Sequence, residues 1–275
     1  TDLFMLMLLF QVAVANPMDA DQVLERSNYT IPESAVPLFD QLVQQAKDLE
    51  LSTKTTWLRL IHYEQKAFGR MVSDQDGEYF FRSADGKTDP QAELEATIKD
   101  FLMPVQRFEN QNYHPQCMFP ARFSWLEPLL NLSELDIPRP LCAELLEWQQ
   151  DVSLDTVSLA FAGYYEGNPA SFFGHTFLLL KSDRAEGKPL YPLVSFGTKI
   201  PEGTSSAEMI ARGILGLYPG YYALEQYYER IQKYGHKELR NIWEYDLNYS
   251  PQEKELLLFH LWELGMVTTF DYFFF

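Results

Sequence analysis

The stretch NPASFFGHTFLLLK, residues 168–181, contains the pattern on which the fold prediction depends. From His175 onward it is a run of apolar residues, which predicts a buried β-strand. Gly174 and a short polar segment precede the run, so an ionisable imidazole stands at the entrance of a strand. A histidine in this position is either a hydrogen-bonded structural residue or half of an active site, and the stretch alone leaves both interpretations open.

Further strands and helices are predicted on both sides of this stretch. Residues 156–165 and 190–197 are β-rich runs separated by turn residues, and residues 242–247 alternate as in a half-buried strand. Three helices are predicted: a capped one in SSAEMIARGILGL, an amphipathic one at residues 220–235, and one that Ser250-Pro251-Gln252-Glu253 opens with a capping box and Gly265 ends.

The part of the chain before residue 151 has a helical pattern. Helices are predicted at residues 36–50, at residues 52–64 with Ser52 or Thr53 as N-cap, and from Asp89-Pro90 to Pro104. His62 is expected to be a cation at a helix C-terminus. Asp-Gly turns on either side of residues 78–83 predict a short hairpin strand. The fold class is therefore α+β, with a mainly helical region at 34–150 and a sheet region at 151–275.

Composition limits the function classes. The chain has 275 residues, of which 46% are hydrophobic and 15% aromatic, so it can bury a large core. Its net charge of −17 argues against nucleic acid and anionic membrane surfaces as partners. No Gly-rich phosphate loop and no metal-ligand spacing occurs, and the acidic residues of the Asp-Gly turns lack the calcium-loop pattern. We therefore expect no cofactor and no metal.

The N-terminal sequence predicts export. Residues 1–15 are an almost unbroken apolar run ending in Ala-Val-Ala, typical of the apolar core and cleavage site of a signal peptide cut before Asn16. A buried N-terminal helix is the alternative. Residues 16–33 are expected to be a polar linker. Export implies the periplasm or cell envelope, and with it an oxidising environment.

The two cysteines, Cys117 and Cys142, are predicted to form a disulfide. In an oxidising compartment a single pair has one connectivity, and closing a loop of about 25 residues contributes ~3 kcal/mol. The alternative is that Cys117 is a nucleophile served by the nearby His114, within NYHPQCMFPARF. That segment offers no helix N-terminus that would lower the pKa of the thiol.

Seven stretches of the sequence resemble one bacterial family. They are LFDQLVQQAKDLEL with WLRLIHY, FFRSADGKTDPQAELEATIKDFL, HPQCMFPARFSWL, NPASFFGHTFL, GYYALEQYYERIQKY, RNIWEYDLNYSPQEKELLLFHLWEL and FDYFFF. The family is the Lnb amino-terminal periplasmic domain, a domain of unknown function, and the similarity runs from about residue 35 to 275. In that family the segment like FDYFFF continues into an Asn-Cys-Ser/Ala motif. The resemblance therefore implies that the sequence is truncated at its C-terminus.

A more distant resemblance is to permuted papain-like enzymes, the NlpC-type and lecithin–retinol acyltransferase-like groups. It rests on the order of two features along the chain. The first is a histidine that opens a strand, here His175, and the second is the downstream Asn-Cys that the family resemblance implies. It implies a truncated papain-like antiparallel sheet and a thiol hydrolase or acyltransferase that acts on amide or ester bonds of an envelope peptide or lipid. His175 would be the base, and the nucleophilic cysteine would follow Phe275. The full-length protein could reach the outer membrane through that C-terminal part.

Other residues around His175 have weaker assignments. Ser195, on the next strand, is a candidate for orienting the imidazole, although it could simply face solvent. Tyr164, Tyr165, Asn168 and Ser171 are candidates for lining a substrate cleft, although Asn168-Pro169 could be only a turn. His260 is expected to be a core or edge residue and His236 to be exposed. The rival function is a non-catalytic periplasmic binding or folding-helper module.

Overall fold

The computed structural model describes residues 30–77, 79–166, 174–185, 191–198, 200–201, 203–267 and 270–272. Their contacts divide into two compact units. The helical unit contains residues 30–145 together with Phe259–Phe270, and the sheet unit contains Leu146–Leu258 with residues 271–272. This is the predicted α+β class. The predicted signal peptide and most of the predicted linker, residues 16–29, lie outside the described residues.

The helical unit is built from short helices and one small hairpin. Its helices are α1 (Val36–Asp48), α2 (Thr55–Leu60), α3 (Pro90–Phe101), α4 (Pro115–Met118), α5 (Pro120–Leu129) and the start of α6 (Ala143–Val152). Strands β1 (Tyr63–Gln65) and β2 (Met71–Ser73) pair antiparallel. One core joins these elements, and its fully buried residues include Trp57, Phe80, Leu94 and Phe119.

Local helix signals in this unit agree with the structure except at α2. Asp89 caps α3, because its carboxylate accepts from the backbone N–H groups of Gln91 (2.9 Å) and Ala92 (3.0 Å). The predicted N-cap of α2 is wrong: Ser52 and Thr53 lie in a 3₁₀ turn, and the helix begins after Lys54 without a side-chain cap.

The strand predicted at residues 78–83 is wrong over its described part, residues 79–83, which form turns and bends. The reason is tertiary. The carboxylate of Glu93 accepts from the backbone N–H groups of Arg82 and Ser83 at 2.9 Å, so these groups have a side-chain partner instead of a neighbouring strand. The hairpin forms instead between β1 and β2.

The predicted disulfide is confirmed. Cys117 and Cys142 are bonded with their Cα atoms 5.2 Å apart, which joins α4 to the residue preceding α6. The alternative of a Cys117 nucleophile is therefore wrong for this structure. His114 instead caps α4: its Nδ1 accepts from the N–H of Gln116 at 3.2 Å, and its Nε2 contacts the Met103 carbonyl at 2.8 Å.

His62 is not the cation that its position after a helix predicts. The residue has a left-handed backbone (φ 58°), and its Nε2 lies 3.1 Å from Nε2 of His260. Burial first, then His260 and the Arg122 charge, lower the pKa of His62 to about 3. The imidazole is therefore neutral at neutral pH, and one ring of the pair donates a hydrogen bond to the other.

A buried ionic network crosses the helical unit. The guanidinium of Arg122 lies between the rings of Phe80 and Phe119, 4.5 and 4.3 Å from their centroids. It donates to Glu93 at 2.8 Å, and its Nε lies 3.8 Å from a carboxylate oxygen of Glu263. All three charged side chains are fully buried. Glu263 also accepts from the first backbone N–H groups of α5, so it stabilises that helix start as well.

The sheet unit holds a six-stranded sheet in the order β7-β3-β4-β5-β6-β8. The strands are β3 (Thr156–Ala162), β4 (His175–Lys181), β5 (Pro192–Thr198), β6 (Tyr218–Gln226), β7 (Ile242–Asp246) and β8 (Phe270–Tyr272). Antiparallel pairing joins β3 to β4, β3 to β7, β4 to β5 and β5 to β6. The strands predicted at 156–165, 175–181, 190–197 and 242–247 are confirmed, with small shifts of their ends.

Helices α7 (Ser206–Ile214), α8 (Tyr227–Ile231) and α9 (Pro251–Val267) follow in the same half of the chain, and a π-helical turn, Gln232–Lys237, continues α8. Ser205 caps α7, and Ser250 forms the predicted capping box with Glu253. Gly265 does not end α9. None of the helices in the described part of the chain is long and apolar enough to cross a membrane.

The helix predicted at residues 220–235 is wrong over its first half. Residues 220–226 belong to β6 and pair with β5, from Gly220 opposite Thr198 to Gln226 opposite Pro192. The spacing of the aromatic residues fits both a helix and a strand. Pairing with β5, which lies earlier in the sequence, decides in favour of a strand. Only Tyr227 to Ile231 form an α-helix.

Candidate functional site

His175 is the first residue of β4, and Gly174 fixes where the chain enters the sheet. Gly174 has φ 89°, and a Cβ on it would lie 2.7 Å from the carbonyl oxygen of Ala162 and 2.6 Å from the ring of Phe161. Only glycine fits this close approach. Because Ala162 is also the register partner of His175, the imidazole is anchored to the end of β3.

The imidazole shares one face of the sheet with Phe177 and Leu179, since alternate residues of a strand point to the same side. Together with Ala160 and Leu193, this face packs against Tyr227 and Tyr234, which α8 and the π-helical turn provide. The ring centroid of His175 lies 6.0 Å from that of Phe177 and 6.3 Å from that of Tyr234. The histidine therefore lies where a layer of aromatic side chains meets the end of a strand.

The environment keeps His175 neutral. Burial first, then the positive charges of Arg230 and Arg240, lower its pKa to about 4, while Glu225 acts in the opposite direction. Nε2 is buried and has no hydrogen-bond partner among the described residues. A neutral imidazole whose ring nitrogen has no partner among these residues can accept a proton, although a pKa of about 4 makes it a weaker base than an exposed histidine.

Ser195 lies in β5 and faces the same side of the sheet as His175, as the registers of β4 and β5 require. It is 4% exposed, and its hydroxyl donates to Oε1 of Glu225 at 3.4 Å. Within the described part of the chain no hydrogen bond joins Ser195 to the imidazole. Its orienting role stays a prediction.

The predicted cleft residues are only partly placed. Tyr164 and Tyr165 follow β3, the first exposed and the second half-buried. Asn168 and Ser171 lie outside the described residues. Whether these four side chains line a substrate cleft stays a prediction.

The sequence analysis missed four polar residues next to His175, of which Arg230 is the centre. Its Nη2 and Nε donate to the two carboxylate oxygens of Glu225 at 2.6 and 2.5 Å, and its Nη1 donates to the hydroxyl of Tyr234 at 3.0 Å. Arg240 packs over the Tyr234 ring, 4.3 Å from its centroid. The sequence analysis placed Arg230 and Tyr234 in the amphipathic helix predicted at residues 220–235, and nothing in the sequence singled them out as site residues.

Comparison with known families separates the chain into two parts. Residues 144–275 match the family model described as the Lnb N-terminal periplasmic domain. This part of the chain is similar to the Lnb N-terminal periplasmic domain family. Residues 49–128 match a second model, a domain of unknown function (DUF7843). The resemblance was expected to begin at about residue 35, but the match to the Lnb model begins at residue 144. No curated protein and no solved structure matches the chain.

All the residues of the candidate site lie in the Lnb domain, including Glu225, Arg230, Tyr234 and Arg240, which the sequence analysis missed. The family name supports the prediction of an exported, periplasmic protein. Across the described ranges, no group of three or more His, Cys, Asp or Glu side chains could hold a metal ion. The described part of the site consists of a buried neutral imidazole beside arginine, glutamate and tyrosine side chains.

Proposed function

We propose that the Lnb domain is a cell-envelope hydrolase or acyltransferase that acts on an amide or ester bond, with His175 as general base. The observation that supports the proposal best is that Nε2 of a neutral imidazole at the end of β4 has no hydrogen-bond partner in the part of the chain that the structure describes. Leaving a buried polar group without a hydrogen bond costs about 1–3 kcal/mol, and a purely structural histidine gains nothing from that cost. His62 and His114 each have a ring-nitrogen partner.

The proposed nucleophile is a cysteine after Phe275, where the family resemblance implies an Asn-Cys motif. Both cysteines of residues 1–275 are in a disulfide, so a thiol has to come from elsewhere. His175 accepts the thiol proton, the sulfur attacks the carbonyl carbon, and the leaving amine or alcohol takes the proton from the imidazolium. Water or an acceptor alcohol or amine then releases the acyl group from the thioester.

Two further sets of residues belong to this proposal. Ser195 acts on His175 indirectly, because its hydroxyl contacts Glu225, whose negative charge opposes the effect of the arginines. Tyr164, Tyr165, Asn168 and Ser171, in the segment that leads into His175, line the side from which an envelope peptide or lipid approaches. The exposure of Tyr164 is compatible with that placement.

The test uses a chain that continues beyond residue 275 and an iodoacetamide probe at pH 7. We expect His175→Ala to lower the rate of thiol labelling about tenfold, because the thiol loses the base that lowers its pKa. His236→Ala is the matched control, since His236 is exposed, and it is expected to label at the wild-type rate. Equal labelling of all three proteins would overturn the enzyme proposal.

A second candidate function, a non-catalytic envelope-binding module, is favoured by strand β7. It forms one edge of the sheet, and its Trp243 and Tyr245 are 45% and 59% exposed. Trp243 also stacks on Phe161 with ring centroids 5.9 Å apart. Exposed aromatic side chains are enriched at interfaces. If this function is correct, His175→Ala is labelled at the wild-type rate, and Trp243→Ser no longer associates with envelope fractions.

A further inference from the structure

The π-helical turn Gln232–Lys237 brings a tyrosine against the candidate base. π-helical turns are rare and occur often at functional sites. Tyr234, the third residue of the turn, is 4% exposed, and its ring meets the imidazole of His175 edge-on at an interplanar angle of 65°. It also contacts Phe177, with ring centroids 6.3 Å apart. The imidazole is thus enclosed by one aromatic ring from its own strand and one from this turn.

Two arginines hold Tyr234 in place, and each is fixed to a different strand. Arg230 donates to the tyrosine hydroxyl and is itself bound to Glu225 of β6. Arg240 covers the tyrosine ring and donates to the carbonyl oxygens of Ala162 (3.2 Å) and Gly163 (2.6 Å) at the end of β3. Because Ala162 is the register partner of His175, the phenol and the imidazole are positioned by the same strand end.

This arrangement has a consequence for access to the base. A general base has to come within about 3 Å of the proton that it accepts. Nε2 of His175 is almost without solvent exposure, although the residue as a whole is half-buried. A reacting group can therefore reach Nε2 only if part of its cover moves. The Tyr234 side chain is held by the hydrogen bond from Arg230 to its hydroxyl and by ring contacts, and the residue belongs to an irregular turn rather than to a strand.

We infer that Tyr234 is the positioning residue and cover of His175: its ring excludes water from Nε2, and the hydrogen bond from Arg230 to its hydroxyl helps to hold the ring in place. This deepens the proposed function, because the need for access rests on His175 being the base. Four charged groups face the imidazole: Arg230, Arg240 and Lys233 lower its pKa, and Glu225 raises it. Substitutions of Tyr234 leave all four in the chain.

The experiment is an NMR titration of the His175 Cε1–H resonance in the chain of 275 residues. The wild-type pKa is expected near 4. In Tyr234→Ala, water reaches Nε2 and stabilises the protonated form, so the pKa is expected to rise by at least one unit toward 6.5. Tyr234→Phe keeps the ring and loses only the Arg230 hydrogen bond, so a rise of less than half that size is expected.

Tyr227→Phe is the matched control. Tyr227 also packs on Phe177, but its hydroxyl donates to Glu244, so this change is expected to leave the His175 pKa within 0.3 unit (roughly the precision of such a titration). If Tyr234→Ala is poorly folded, Tyr234→Leu replaces it with the same expected direction. A folded Tyr234→Ala or Tyr234→Leu variant whose His175 pKa stays within the control range overturns the inference.

The two proposals fail in different ways. If His175→Ala does not affect thiol labelling but Tyr234→Ala raises the His175 pKa, the cover exists and the enzyme proposal is wrong. If thiol labelling depends on His175 but its pKa is insensitive to Tyr234, the enzyme proposal stands and another group covers the base.

Discussion

At the scale of single residues, burial rather than residue type decides charge. His62, His114 and His175 all have a pKa well below 6.5, and in each case loss of solvent is the largest cause. The sequence correctly placed His175 at the start of a strand. It assigned His62 a positive charge from its position after a helix, since sequence spacing contains no information on His260, which approaches from 198 residues away.

Gly174 gives a prediction at this scale. Gly174→Ala places a Cβ within 2.7 Å of the Ala162 carbonyl oxygen and requires a positive φ from an L-residue. We expect a loss of about 2–3 kcal/mol in the free energy of unfolding, measured by urea denaturation. Gly197→Ala in β5 is the control, because its Cβ meets no atom within 4 Å and the change should be nearly neutral. Similar losses in both variants would show that the close approach at Gly174 is not what requires glycine.

At the scale of elements, signals that act within one turn of helix could be read from the sequence. The N-caps Asp89, Ser205 and Ser250 all form the expected side-chain bonds, because cap and recipient are two or three residues apart. Two local signals nevertheless failed, the N-cap of α2 at Ser52 or Thr53 and the helix end at Gly265. The strand predicted at residues 78–83 and the helix predicted at residues 220–235 failed where a distant partner satisfies the backbone. Glu93 does so in the first case and strand β5 in the second.

The cap of α3 can be tested directly. Asp89→Ala removes the acceptor for two backbone N–H groups at the start of the helix, so we expect a loss of about 1 kcal/mol in the free energy of unfolding, with the urea midpoint as the measurement. Asp89→Ser keeps a capping oxygen and should recover most of the stability. If the serine variant is as unstable as the alanine variant, the carboxylate contributes by its charge and not as a cap.

At the scale of the whole molecule, the helical unit is completed by residues that lie far along the chain. Arg122 and Glu93 lie in the part that matches DUF7843, whereas Glu263 lies in the part that matches the Lnb model. Glu263 nevertheless binds the start of α5 and faces the Arg122 guanidinium inside one core. Trp262 adds a hydrogen bond to the Cys117 carbonyl at 3.0 Å. The boundaries of the family models therefore differ from those of the compact units.

We expect Glu263→Ala to destabilise the protein by about 3 kcal/mol, because it removes two hydrogen bonds to backbone N–H groups and one of the negative charges that balance buried Arg122. Urea unfolding at pH 7 measures the loss. Glu255→Ala is the same change on an exposed position of the same helix and should cost less than about 0.5 kcal/mol. Equal stability of the two variants would mean that Glu93 alone balances the arginine.

The sequence by itself determined the α+β class, the disulfide, most of the strands, three helix N-caps and the position of His175 at a strand start. These depend on residue period, on neighbours within one turn, or on there being only two cysteines. Only the tertiary structure decided the charge of the buried histidines, the strand at residues 218–226 and the group formed by Glu225, Arg230, Tyr234 and Arg240. Desolvation, strand pairing and ion pairing depend on residues that meet only when the chain has folded, and a linear pattern does not contain those distances.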